Sequence, residues 1–184
     1  MHYPFELRKA IQAAGLLLRV HERQQMEYIR LLKLLYITDR ETIRDTGQPI
    51  IGAKVVALKK GPLHGRVYDL VKGQDEESGE WNRFFRTVGV EIELLTDPGI
   101  EALCRYEVRK LNEIHDRYQD VDTWDLVEET HEFTEWKKHY PNPDEDTSRP
   151  IPFEDILAAV GRADDLGAIR AELNETLRME RLFG

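Results

Sequence analysis

Leu31-Leu32-Lys33-Leu34-Leu35-Tyr36-Ile37-Thr38-Asp39 is the stretch whose reading decides the fold. It lies inside the segment Met26 to Gly47, and neither Gly nor Pro interrupts the chain from Met26 to Thr46. Apolar residues fall on most sides of this segment, so a helix here is a buried central post and not a surface cover. At about 1.5 Å rise per residue it would cross a small domain. Asp39 is the anomaly. On a helix it shares a face with Leu32, Leu35 and Tyr36. A carboxylate on such a face needs donors or a positive partner, because burying it alone costs several kcal/mol.

Elements fall on either side of the post. Before it, Pro4 suits the first turn of a helix in which Leu7, Ala10, Ile11, Ala14, Leu17 and Leu18 recur at three- and four-residue steps. A break near Glu22 to Gln25 joins the two helices. After it, Gly47 can cap the post, and Val55 to Leu58 reads as a strand ending at Lys59-Lys60-Gly61-Pro62. Pro62 is pre-set to open a new helix. Thr87 to Thr96 alternates like a half-buried strand, and the two strands can pair in one small antiparallel sheet, with a contribution from Ile50-Ile51. A helix from about Gly99 to Tyr118 follows, with Cys104 read as a core residue on it, and a short helix ends near His131. Pro141-Asn142-Pro143 through Pro150-Ile151-Pro152 reads as an acidic, proline-punctuated loop. A helix closed by Gly161 precedes a last one from Asp164-Asp165. The fold class is therefore mainly α (α+β): a helical domain around a buried central helix, with a small two- to three-stranded antiparallel sheet. Residues 1–161 form the domain, and 162–184 an amphipathic helix appended to it.

The 184 residues suffice for one domain with a real core. Apolar residues make up 41% and charged residues 33%, a globular and not a disordered balance. No apolar run is long enough to span a membrane, the first residues lack a signal-peptide pattern, and Cys104 is the single cysteine. Together these point to the cytoplasm. A net charge of −9 weighs against a nucleic-acid-tracking surface. The charge is uneven: five bases against one acid from Gly52 to Lys72, then twelve acids against three bases from Asn112 to Thr147. That is either two solvated faces or a polar molecule whose acidic side meets a basic protein.

Catalytic patterns are scarce. His131-Glu132 starts like a zinc-protease helix, but Glu135 stands where the second histidine belongs. Asp120, Asp122 and Asp125 lack the spacing and turn glycine of a calcium loop. Neither a P-loop nor a dinucleotide glycine pattern occurs, so no cofactor is indicated. His64, in a basic neighbourhood, reads as a surface or packing residue, and His131 as a structural histidine at a helix end. An enzyme reading would need Asp39, His64 and His131 to converge on an open pocket near Gly61-Pro62.

In order, these motifs carry a family resemblance. Tyr28 to Asp39, including Lys33, Leu35 and Tyr36, followed by Gly47-Gln48-Pro49-Ile50 and Val56 to Pro62, resembles the signatures of the SocA-like Panacea domain, also seen in phage-associated proteins. Leu126-Val127 with Thr130-His131 and Trp136, then Pro150-Ile151-Pro152 and Asp155-Ile156-Leu157, match its later regions. The resemblance spans about Phe5 to Gly161; Leu63-His64 and the helix beyond Gly161 depart from the pattern. It implies a mostly helical domain and an antitoxin that neutralises a cognate toxin, usually encoded next door, by protein–protein binding. One kind of member instead delivers its toxin to a bacterial ATP-dependent protease. Two expectations follow for residues. Asp39 clamps the backbone donors of Gly61 to Leu63 onto the central helix, with His131 nearby. The stripe Leu166, Ile169, Leu173 and Leu177 on the last helix contributes a partner contact, so that deleting residues 165–184 abolishes neutralisation with little change in thermal unfolding.

Overall fold

The computed structural model describes residues 3–140, 142 and 147–183. The central helix, α2, runs Tyr28–Thr46, and every residue from Leu31 to Asp39 is buried. Helix α1, Leu7–Val20, packs on one side of it; α5, Arg105–Tyr118, and α6, Thr123–His131, pack on others. A post enclosed on several sides can be apolar all round, which is why its sequence shows no polar face. Its threonines are satisfied within the helix. The hydroxyls of Thr38, Thr42 and Thr46 donate to the carbonyls four residues back. Gly47, at φ +84°, closes the helix by donating its N–H to Ile43 O.

The fold is helical with antiparallel sheet, as its sequence implies, but the strands form two separate three-stranded sheets. In one, β2 (Val55–Leu58) lies between β3 (Gly61–His64) and β6 (Arg149–Ile151). In the other, β5 (Glu91–Leu94) lies between β4 (Phe85–Val88) and β1 (Gln25–Glu27). The two expected strands therefore do not pair with each other. Thr87 to Thr96 folds back on itself as the β4–β5 hairpin around Gly89, and Ile50-Ile51 is not a strand. Strand β1 begins directly after Arg23 and Gln24, both at positive φ, a chain reversal no local pattern announces.

Pro62 does not open a helix. Gly61 to His64 pairs antiparallel with Val55 to Leu58, and helix α3, Gly65–Val71, starts after it. Strand β3 is an edge, where a residue without an amide hydrogen is tolerated, and Pro150 sits in the other edge, β6. Helix α5 starts at Arg105, not near Gly99, because Cys104 is its cap: Glu107 accepts from the Cys104 amide at 2.7 Å. Cys104 is accordingly exposed, not core. Of the proline-punctuated loop, residues 141 and 143–146 lie outside the described residues.

The chain continues through the short α4 (Ser78–Trp81), then after α6 through α7 (Thr134–His139), α8 (Phe153–Ala159) and α9 (Leu166–Phe183). The stripe on α9 turns inward. Ile169 and Leu173 are buried, and Leu166 and Leu177 are half-buried. Ile169 joins a core cluster with Ile43, Tyr36 and Phe153. The partner surface expected on this stripe is thus taken up by the protein's own core, and removing residues 165–184 would expose Ile43 and its neighbours instead of leaving stability untouched. Among the described residues of α9, the large apolar side chains that are exposed are Met179 and Leu182.

Candidate functional site

The family motif converges on one face of α2, where three polar residues descend at three-residue steps: Lys33, Tyr36 and Asp39. All three are buried, and each holds a different part of the chain.

Lys33 is fully buried, and its Nζ donates to the Pro62 carbonyl at 2.8 Å. Burial pushes its ammonium down to about 7. Gly61 lies against it at φ +93°; a Cβ there would come within 2.9 Å of Lys33 Nζ and collide with Thr130 Oγ1. Glycine is required twice over, by backbone angle and by space. Thr130 is itself buried and donates to Val127 O. His131 closes this end. Its ring stacks on Trp136, centroids 4.3 Å apart, and Trp136 Nε1 donates to the Leu58 carbonyl at 2.9 Å. Burial lowers the His131 pKa, and the Lys33 charge adds to this against the pull of Glu128.

Tyr36 donates to Glu135 Oε1 at 2.7 Å, and Arg40 Nε donates to the same oxygen at 2.6 Å. Burial first, then the Glu135 carboxylate, raises the phenol well above its ordinary value. Glu135, 1% exposed, is the residue that spoiled the zinc pattern after His131. Its role is to tie α7 to the central helix through one tyrosine and one arginine. Leu35 faces the main core.

Asp39 does not hold the Gly61–Leu63 backbone. Its Oδ1 accepts from the Ile50 amide at 2.8 Å and from the Ile51 amide at 3.3 Å, and its Oδ2 pairs with His64 Nε2 at 2.9 Å. It therefore clamps both the connection after α2 and the end of β3. The Gly-Pro segment falls to Lys33, six residues earlier, and His131 belongs to that end. His64 is 1% exposed, so it is neither a surface residue nor a spectator. All four residues of β3 are buried, because α2, α6 and α3 all pack against the strand, so Leu63 and His64 are both inside. Sequence reasoning named His64, Glu135 and Ile50-Ile51 without finding their roles, and passed over Arg40. The spacing of Glu135 from His131 served only to reject a zinc pattern; the pairing of Glu135 with Tyr36 and Arg40 needed the tertiary fold.

Asp39 and His64 line a cavity of about 170 Å³ with Tyr3, Tyr36, Phe153 and Ile156. Its lining also holds Lys54, and no serine, threonine or cysteine is among its lining residues. Among the described residues no group of three or more His, Cys, Asp and Glu side chains is placed to hold a metal ion, and no helix is long and apolar enough to cross a membrane.

The signature residues thus face inward as a buried polar spine that fastens one connection, one strand and one helix to the central post. The model of the family described as Antitoxin SocA-like, Panacea domain, matches residues 31–137, and the chain belongs to that family. No match was found among curated proteins or among solved structures.

Proposed function

We propose that this protein is the non-enzymatic antitoxin of a toxin–antitoxin pair and neutralises its cognate toxin by direct protein–protein binding. What carries the reading is the family membership over residues 31–137. It agrees with the use of the signature residues: Lys33, Tyr36, Asp39, Gly61 and Pro62 are spent on holding the fold. The toxin is a protein encoded beside this one and working in the same cytoplasm.

The contact surface is to be sought on what the scaffold leaves outside. The end of α9 exposes Met179 and Leu182, which share a helix face at a three-residue step. The outer side of α6 and the residues after it add the exposed carboxylates Glu128 and Glu132. An apolar anchor on one element and exposed acidic groups on another suit a toxin surface that carries an apolar groove and basic residues. In this reading residues 1–161 are the scaffold that carries the family motif, and 162–184 a docked helix whose far end is the recognition element.

The test is co-expression with the neighbouring toxin gene, scored for growth and for toxin level. Protection with the toxin still present and bound supports neutralisation by contact. Protection with the toxin depleted, and lost when the host's ATP-dependent protease is removed, replaces it with delivery to that protease. The paired substitution Met179→Glu and Leu182→Glu should abolish protection without lowering the thermal midpoint; retained protection places the contact elsewhere.

A further inference from the structure

The cavity beside the Asp39–His64 pair is not consumed by the scaffold. Its walls are apolar for the most part, with Ile43, Val55, Ile151, Phe153 and Ile156 among them. Its polar groups include Asp39 and His64, both nearly fully buried. Because Asp39 is an acceptor, the hydrogen between it and His64 sits on Nε2. In the neutral ring Nδ1 is then an acceptor, and it is buried with no hydrogen-bond partner. Buried acceptors are nearly always paired, by protein, water or ligand.

Size narrows what can enter. A cavity of about 150 Å³ admits a benzene ring. The volume here is about 170 Å³, enough for such a ring with one small substituent. Of the charged lining groups, Lys54 is exposed at the open side and Asp39 is buried in the wall, so the interior disfavours an anion, and the apolar walls disfavour a strongly hydrated cation. An apolar ring that brings one hydrogen-bond donor satisfies both the walls and the orphaned nitrogen. We propose that this cavity binds a small neutral aromatic molecule carrying a single O–H or N–H donor, of the phenol or indole class, with its ring against Phe153 and Ile156 and its donor on the His64 side. The site is independent of toxin binding, and its test does not involve the toxin.

The experiment titrates the full chain with p-cresol, indole and toluene, followed by calorimetry and by the ¹⁵N resonances of the histidine rings. p-Cresol and indole should bind at least about tenfold more tightly than toluene, the discrimination one buried hydrogen bond supplies. The His64 ring nitrogens should shift with p-cresol and stay in place with toluene. Ile156→Phe, which narrows the cavity without touching the polar pair, should weaken all three ligands. Equal affinity for p-cresol and toluene, shifts centred away from His64, or no binding of any of the three up to about 10 mM overturns the proposal. Should Ile156→Phe fail to fold, the ligand comparison on the unaltered chain decides alone.

Discussion

The two ends of the signature face of α2 bury charge in opposite ways. Asp39 has two backbone amides and a histidine as partners. Lys33, two turns earlier, has one hydrogen bond, to the Pro62 carbonyl. The first is a nearly complete cage for a carboxylate; the second gives an ammonium one acceptor in an apolar interior. A buried charge that is fully met fastens the chain and is costly to break. One that is barely met titrates instead, and its pKa moves toward neutrality. The same family motif thus contains a lock and a proton-sensitive strut.

The difference can be broken most forcefully at the lock. Asp39→Ala leaves the Ile50 and Ile51 amides and His64 unpaired inside the protein, and should cost about 3–5 kcal/mol in urea unfolding. At the strut the expected effect is a pH dependence. The Lys33 pKa is about 7 in the folded chain, against the ordinary 10.5 when unfolded. Between these values the unfolded state binds more protons, so stability rises as pH rises through that window, by up to about 1.4 kcal/mol per pH unit for one proton. Below pH 7 both states are protonated and this contribution is flat. Lys33→Met should remove the rise; a wild-type profile as flat as the variant's would contradict the account of Lys33.

A smaller loss is expected at the glycine packed against the Lys33 end. Gly61→Ala must force a positive φ on alanine and displace Thr130 and Lys33, costing about 1–3 kcal/mol by thermal or urea unfolding. The smallest effect lies outside the motif, where Lys110 reaches both Asp45 and Glu41 across α2 and α5. Burial raises the Asp45 pKa, but hydrogen bonds from Lys110, Tyr106 and Arg44 outweigh it and hold the carboxyl at about 2. Its contribution is therefore present above the unfolded value of 3.8 and fades as pH falls from there toward 2. Lys110→Met should flatten that acid limb.

What was legible from the residues follows from how local each feature is. The central post, its glycine stop and the flanking amphipathic helix announce themselves by spacing within a few turns. Family motifs identified the signature residues and, with them, the antitoxin class. The sheets were misjudged because pairing is non-local: β1 is only three residues long and depends on Arg23 and Gln24 at positive φ, and β3 uses Pro62 at an edge, where sequence alone favours a helix start. Asp39 was correctly suspected of clamping a loop, but the loop was the wrong one. Amides near Gly61 and amides near Ile50 are indistinguishable until the chain is folded. The stripe on α9 shows the same limit: periodicity reveals an apolar face and says nothing of whether it meets the same protein or another.

The central claim is that the signature holds the scaffold while recognition lies elsewhere. The direct measurement is the affinity of Asp39→Asn for the cognate toxin, determined beside its unfolding free energy under conditions where the variant is still folded. The account predicts a clear loss of stability, about 1–3 kcal/mol for the weakened cage, with affinity unchanged within about twofold. Loss of toxin binding at unchanged stability would contradict it.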